Sequence, residues 1–347
     1  MNDNTKEIFK KIGKAAFNVS KEVSPYIITY EVMKKVFYKY TDTDPFFLFD
    51  IDDFPNLRYE RQVFSNGSND LIGYFYHYDN YRTNKVVIFV HGYGNGHKRY
   101  LDIIDYLCRK GFIVFSYDMT SFDESVAPGI RSFIQGVIDL ENAIHFVREK
   151  SDYRGLPISL FGHSWGAYSS STVLNVYPDI ESVVEVSGFN SSEELIRIHK
   201  EEYAGEDAPS VDKYISAYEE YYFGRYAKFN AISGFKNTRA KILCIHSKDD
   251  KTVPIDAGLN LYEKEFKSSP RFTFVKFDKA GHGEVFYTKE ARDYYTFIRN
   301  QYNEKFKKDA TSTKDDRKAY LNSIIDKSIF LNMLDTSLMD YISDFLL

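Results

Sequence analysis

The chain has 347 residues, 43% of them hydrophobic, and a net charge of −5. That supplies enough apolar material for a large core. Mild acidity without an arginine cluster lacks the electrostatic footprint of a nucleic-acid binder, and no run of about 18 apolar residues offers a membrane span.

Residues 5–40 carry apolar positions at helical spacing (Ile8, Phe9, Ile12, Ala15, Ala16, Val19), and Pro25 is expected to divide them into two helices. Lysines 6, 10, 11, 14 and 21 precede no uncharged apolar stretch, so no secretory signal is expected. A basic amphipathic helix can touch a membrane surface. Acidic residues interrupt the polar face here, which favours packing against the protein body.

Strands follow. "NLRYERQVFS" and "LIGYFYHY" flank the turn signal "NGSND" and predict an antiparallel pair. "KVVIFVHG" and "GFIVFSYD" predict buried strands on either side of a helix that Gly111 ends. "IRSFIQGVIDLENAIHFVREK" predicts a further helix, and "LPISLF", "SVVEVSGF", "KILCIHS" and "RFTFVKFD" predict more strands. Such alternation implies an α/β fold with a mainly parallel sheet covered on both faces. Residues 190–238, rich in charge and tyrosine, interrupt it and suggest a helical cap insertion. After Tyr302 the polar stretch "NEKFKKDATSTKDDRK" suggests a linker before two short amphipathic helices. The expected division is an N-terminal helical extension (1–57), a core with its cap (58–303), and a linker with C-terminal helices (304–347).

Cys108 and Cys244 sit in apolar stretches with no metal-ligand spacing, which points to a reducing, cytoplasmic setting and to no metal site. Most of the 29 Tyr and 29 Phe are expected in packing.

Chemistry concentrates in four places. "LFGHSWGAYSS" is an apolar strand leading into Gly162-His163-Ser164-Trp165-Gly166 and small residues. That is the G-x-S-x-G elbow, in which a serine sits at a strained strand-to-helix turn and glycines two positions away avoid collision. A lone serine is a weak nucleophile, so a base, an orienting acid and oxyanion donors must come from elsewhere. "HGYGNGH" follows the "KVVIFV" strand and offers the backbone N–H of Tyr93, to act with that of Trp165. "KILCIHSKDDKTVP" offers Asp249 or Asp250 at a strand end, where consecutive side chains point to opposite sides and one alone reaches the base. "FVKFDKAGHGEVF" offers His282, a histidine between glycines with no apolar face to fill. The order Ser…Asp…His distinguishes this arrangement from other triad folds.

With "VVIFVHGYG", "GHSWG", "HSKDDKTVP" and "AGHGE", the chain resembles the α/β-hydrolase superfamily over roughly residues 58–303. More closely it resembles the capped bacterial esterase and serine-aminopeptidase-like hydrolases. The resemblance favours Asp250 as the acid, because family members commonly show an acid, two residues, an aliphatic residue and proline, matching Asp250 through Pro254. It implies an acyl-enzyme mechanism with Ser164 as nucleophile, His282 as base and no cofactor. One departure stands out: the family's D-x-R-G-x-G-x-S is here "DMTSFDES", keeping Asp118 and Ser125 without the Arg and both Gly.

The expected activity is hydrolysis of a small-molecule carboxylic ester of small to medium acyl group. Tyr218, Tyr221 and Tyr222 of the cap are candidate pocket walls, as are Tyr203 and Tyr214. The alternatives are a peptidase whose cap glutamates (Glu201, Glu202, Glu219, Glu220) bind a substrate amine, against their plainer reading as a solvated helix face, and a non-catalytic protein on the same fold. Oligomeric state is open.

Overall fold

In this computed structural model, residues 25–41, 43, 49–81, 84–307, 309 and 311–347 are described. The first of the two expected N-terminal helices lies outside them. Of the described residues, 25–37 are helical (α1).

The hairpin forms as expected. Strands β1 (Arg58–Ser65) and β2 (Asp70–His77) pair antiparallel with Ser65 opposite Asp70. Its turn is closed by the Asn66 side chain, whose Oδ1 accepts the N–H groups of Ser68 and Asn69. Next come β3 (Val86–Val90), α2 (Leu101–Arg109), β4 (Ile113–Tyr117), α3 (Gln135–Glu149), β5 (Ile158–His163), α4 (Trp165–Thr172) and β6 (Ser182–Val186). Gly111 leaves α2 at φ 96°, the left-handed conformation that ends many helices. Helix α3 starts later than its apolar pattern suggests, because residues 131–134 turn and bury Phe133 and Ile134 instead.

The interruption after β6 is helical, as expected: α5 (Ser192–Ile198), α6 (Lys200–Ala204), α7 (Ala208–Phe223) and α8 (Ala231–Asn237). Then β7 (Lys241–Ser247), α9 (Leu259–Phe266), β8 (Phe272–Phe277) and α10 (Lys289–Phe306) complete the alternation. The eight strands lie in the order β1-β2-β4-β3-β5-β6-β7-β8. β2 meets β4 antiparallel, and every pairing from β4 to β8 is parallel.

Side chains alternate between the two faces. Val86, Ile88 and Val90 join a core with α1, α3 and the cap, whereas Val87 and Phe89 join one with α2 and α10. The C-terminal segment enters the second core. It holds α11 (Lys314–Ile324), α12 (Lys327–Phe330) and α13 (Thr336–Leu346), three helices where two were expected. The polar stretch is less of a linker than its composition suggests, because α10 runs to Phe306 and Thr313 with Asp316 forms a capping box that starts α11. Leu338, Met339, Ile342 and Leu346 of α13 are buried, and Lys85 Nζ donates to the Leu346 and Leu347 carbonyls at 2.6 and 3.1 Å.

Met339 has no exposed surface. Met339→Ala is therefore expected to lower unfolding free energy by about 2–5 kcal/mol in urea titrations. Leu347→Ala, at a residue 63% exposed, should change it by less than about 0.5 kcal/mol. Equal effects would mean that α13 is not part of the cooperative core.

Candidate active site

Four loops leave the carboxyl ends of β3, β5, β7 and β8, so the parallel sheet gathers them on one edge. The elbow is as its sequence demands. Ser164 links β5 to α4 with φ 56° and ψ −117°, a strained conformation for a residue with a side chain. A Cβ on Gly162 would lie 2.3 Å from the Gly166 carbonyl oxygen, and one on Gly166 would lie 2.0 Å from that of Val90. The glycines let strand and helix meet this closely.

His282 Nε2 is 2.8 Å from Ser164 Oγ, and His282 Nδ1 is 2.7 Å from Asp250 Oδ2. A carboxylate accepts only, so Nδ1 carries the hydrogen and Nε2 accepts the serine hydroxyl. Asp250, not Asp249, is the carboxylate that meets His282. Its Oδ1 accepts the N–H groups of Thr252 and Val253, both at 2.9 Å, which fixes the carboxylate plane. Burial pushes the Asp250 carboxyl up, but hydrogen bonds from His246 and His282 and the charge of His282 outweigh it and hold the group well below the usual range. Asp249 faces away. Its Oδ1 accepts from Ser247 Oγ at 2.6 Å and from the Gly281 N–H at 2.9 Å, tying the β7 turn to the histidine loop.

Two further histidines had no role in the sequence reading. His163 is buried at the x position before Ser164. Its Nε2 lies 3.1 Å from the His282 carbonyl oxygen and its Nδ1 lies 2.9 Å from Tyr100 Oη. A carbonyl cannot donate, so Nε2 carries the hydrogen and the Tyr100 hydroxyl donates to Nδ1. Tyr100 Oη also accepts the Gly92 N–H at 3.2 Å. This chain joins the β3 loop, the elbow and the His282 loop. Burial, with the nearby charge of His282, pushes the His163 pKa down to about 3, so the imidazole is neutral. Behind the acid, His246 Nε2 lies 2.9 Å from the Val253 carbonyl oxygen and 3.2 Å from Asp250 Oδ2. His163 stands at a position the elbow motif leaves open and His246 in no motif, so the partners of both are set by the tertiary structure alone.

The departing loop after β4 has a structural account. Asp118 is buried, and its Oδ1 accepts both the backbone N–H and Nδ1 of His97 at 2.8 and 2.7 Å. Ser125 Oγ donates to the Asp118 carbonyl at 2.6 Å and accepts the Ile72 N–H. The two retained residues brace the loop behind the Gly92-Tyr93 turn. His91 is buried too, accepting the Met119 N–H on Nε2.

A cavity of about 610 Å³ opens beside Ser164 and His282. It is lined by Gly92, Tyr93, Asn95, Arg99, Tyr100, His163, by Asp249, Lys251, Thr252, Gly281, Gly283, Glu284, and by Tyr295, Thr296, Arg299 and Asn300 of α10. The cap tyrosines are not among these residues, which corrects the expectation for them. Tyr218 is buried and donates to the Arg131 carbonyl, Tyr222 lies under the Arg131 guanidinium, and Tyr221 is 73% exposed. Aromatic packing fills the space between cap and elbow: Phe133 meets Phe37, Tyr93 and Phe189 edge-on. The cap glutamates divide. Glu201 and Glu202 are exposed and Glu220 pairs with Lys228. Glu219 is buried, accepting from Ser192 Oγ at 2.5 Å and from Ser132 Oγ, so the solvated-face reading fails for it.

Solved structures share the fold at low identity. An esterase of Pyrococcus furiosus is 14% identical with a TM-score of 0.55, covering 73% of this chain and 94% of its own. An acylaminoacyl peptidase of Pyrococcus horikoshii is 17% identical with a TM-score of 0.52, covering 74% of this chain and 42% of its own. The chain has the α/β-hydrolase fold. A family model described as serine aminopeptidase, S33, matches residues 81–205 of the chain. An uncharacterized protein of Acanthamoeba polyphaga mimivirus is 27% identical over 192 residues, 52% of this chain and 61% of that relative. Among the described residues, no helix is long and apolar enough to cross a membrane, and no group of three or more His, Cys, Asp and Glu is arranged to hold a metal ion.

Burial pushes the Glu219 carboxyl up to about 7, against the hydrogen bonds from Ser132 and Ser192. An unfolded Glu titrates near about 4.3. The folded state therefore holds the extra proton between these values and loses stability as pH rises through that window. Glu219→Gln should remove this loss. The melting temperature of the variant, relative to the wild type, should be higher at pH 8 than at pH 5; a difference independent of pH would refute the buried-carboxyl account.

Proposed function

We propose that this α/β-hydrolase is a serine hydrolase that cleaves a carboxylic ester of small to medium acyl group through an acyl-enzyme. The observation that carries the reading is the unbroken hydrogen-bonded chain Ser164–His282–Asp250. His282 Nε2 takes the hydroxyl proton as Ser164 Oγ attacks the acyl carbon. Asp250 keeps Nδ1 protonated and stabilises the imidazolium that forms. The carbonyl oxygen becomes an oxyanion, held by the N–H groups of Tyr93 and Trp165. The Trp165 N–H is the first of α4 and has no acceptor within the helix; each such donor is worth roughly 3 kcal/mol in the transition state. The imidazolium then protonates the leaving alcohol, and water repeats the sequence on the acyl-enzyme with His282 as base.

The same groups can cleave an amide, and the matched family model is named for serine aminopeptidases. A panel of acyl esters run beside aminoacyl amides separates the two.

A fluorophosphonate probe should label the protein, and Ser164→Ala should abolish the labelling; no labelling would support a non-catalytic protein. Asp250→Asn leaves His282 with the wrong tautomer, so kcat should fall by up to ~10⁴ with the fold intact. Asp249→Asn should cost far less, because an amide oxygen still accepts the turn hydrogen bonds. Loss on Asp249→Asn with activity retained on Asp250→Asn would overturn the assignment.

A further inference from the structure

We propose that the substrate carries a carboxylate in the half that fills the cavity beside Ser164, and that Arg99, Arg299 and the Tyr295 hydroxyl recognise it. This inference rests on the serine-hydrolase reading and names the class of ester.

Among the described residues that line the cavity, none has an aliphatic side chain. A hydrocarbon acyl chain gains by leaving water only where apolar surface receives it. Tyrosine rings and side-chain stems supply apolar surface here, but it is interleaved with arginine, lysine, amide and hydroxyl groups from which a hydrocarbon chain would strip water and return no hydrogen bond. The apolar space beneath the cap is already occupied by Phe37, Phe133 and Phe189. A polar substrate half fits these walls.

Arg99 and Arg299 come from different elements, the short turn His97–Tyr100 and helix α10, and both line the cavity beside Tyr295. Arg299 Nη2 donates to Tyr295 Oη at 2.5 Å. Burial raises the Tyr295 phenol, the charges of Arg99 and then Arg299 act against that rise, and that of Glu284 adds to it. Arg99 is 6% exposed and held from behind: its Nη1 donates to Tyr287 Oη at 2.7 Å, and Tyr287 donates to Asp102 Oδ2 at 3.1 Å. A buried, oriented guanidinium suits planar pairing with a carboxylate. Lys251 adds a third cation, against two lining carboxylates: Asp249, which is held by its own turn, and Glu284, whose charge acts on the Tyr295 hydroxyl.

The test pairs esters of equal length. The p-nitrophenyl half-ester of glutaric acid is compared with p-nitrophenyl valerate for an anionic acyl group, and O-butyryl lactate with its methyl ester for an anionic leaving group. In at least one pair the anionic member should have a kcat/KM at least tenfold higher at low ionic strength. Arg299→Gln should reduce that ratio at least fivefold, and Arg299→Lys should restore part of it. Equal rates or neutral preference in both pairs would overturn the proposal, as would a preference untouched by Arg299→Gln. If no ester turns over, glutarate should still slow fluorophosphonate labelling of Ser164, and unslowed labelling counts against the carboxylate site. If Ser164 does not label, the serine-hydrolase reading itself fails, and calorimetric titration with glutarate decides separately whether the arginine wall binds a carboxylate.

Discussion

The strained turn at Ser164 is the constraint on which the rest of the site depends. A non-glycine residue at φ 56° costs about 1–3 kcal/mol and persists only where its surroundings enforce it. Those surroundings are visible. The Ser164 N–H donates to the Val186 carbonyl on β6, its own carbonyl accepts the Tyr168 N–H, and Gly166 packs against the end of β3. Three neighbouring elements therefore determine where one hydroxyl points. With that hydroxyl placed, a partner need arrive only within hydrogen-bond reach, and the loop after β8 brings the His282 imidazole there.

That loop is held at more than its tip. The His282 carbonyl accepts from His163, and at 3.3 Å from Ser187 Oγ, while its imidazole is bound by Asp250. His163 performs this task because it is neutral, with one donor and one acceptor nitrogen, and burial keeps it so. Through Tyr100 the same imidazole reaches the Gly92 N–H, so the Gly92-Tyr93 loop is positioned by the residue beside Ser164. The polar groups form one connected network, in which displacement of any member is felt by the others.

The cap and α1 act on a different side. Their aromatic contacts close the space above Phe133 and Tyr93, and Thr29 Oγ1 ties α1 to the Ser210 carbonyl of α7 at 2.9 Å. Open volume is left toward α10, whose exposed-to-cavity face carries Tyr295, Thr296, Arg299 and Asn300. The character of the pocket is thus set by a helix that carries none of the catalytic motifs.

The sequence by itself determined the alternating strands and helices, the elbow, and the candidates Ser164 and His282, because each depends on local stereochemistry: apolar runs for buried strands, glycines around a strained serine, glycines flanking a mobile-looking histidine. It left Asp249 and Asp250 as neighbours separable only by resemblance; the tertiary structure separates them because adjacent side chains at the end of β7 point to opposite sides, one to His282 and one into the turn. Pocket walls were not legible. Tyr218, Tyr221 and Tyr222 shared a composition with ligand-binding surfaces, but which way a helix faces depends on what packs against it, and α7 turned Tyr218 and Glu219 inward and Tyr221 outward. The roles of His163, Tyr100, Arg99 and Arg299 depend on residues more than sixty positions apart meeting at one sheet edge. No local pattern encodes such a meeting; only the order of strands in the sheet does.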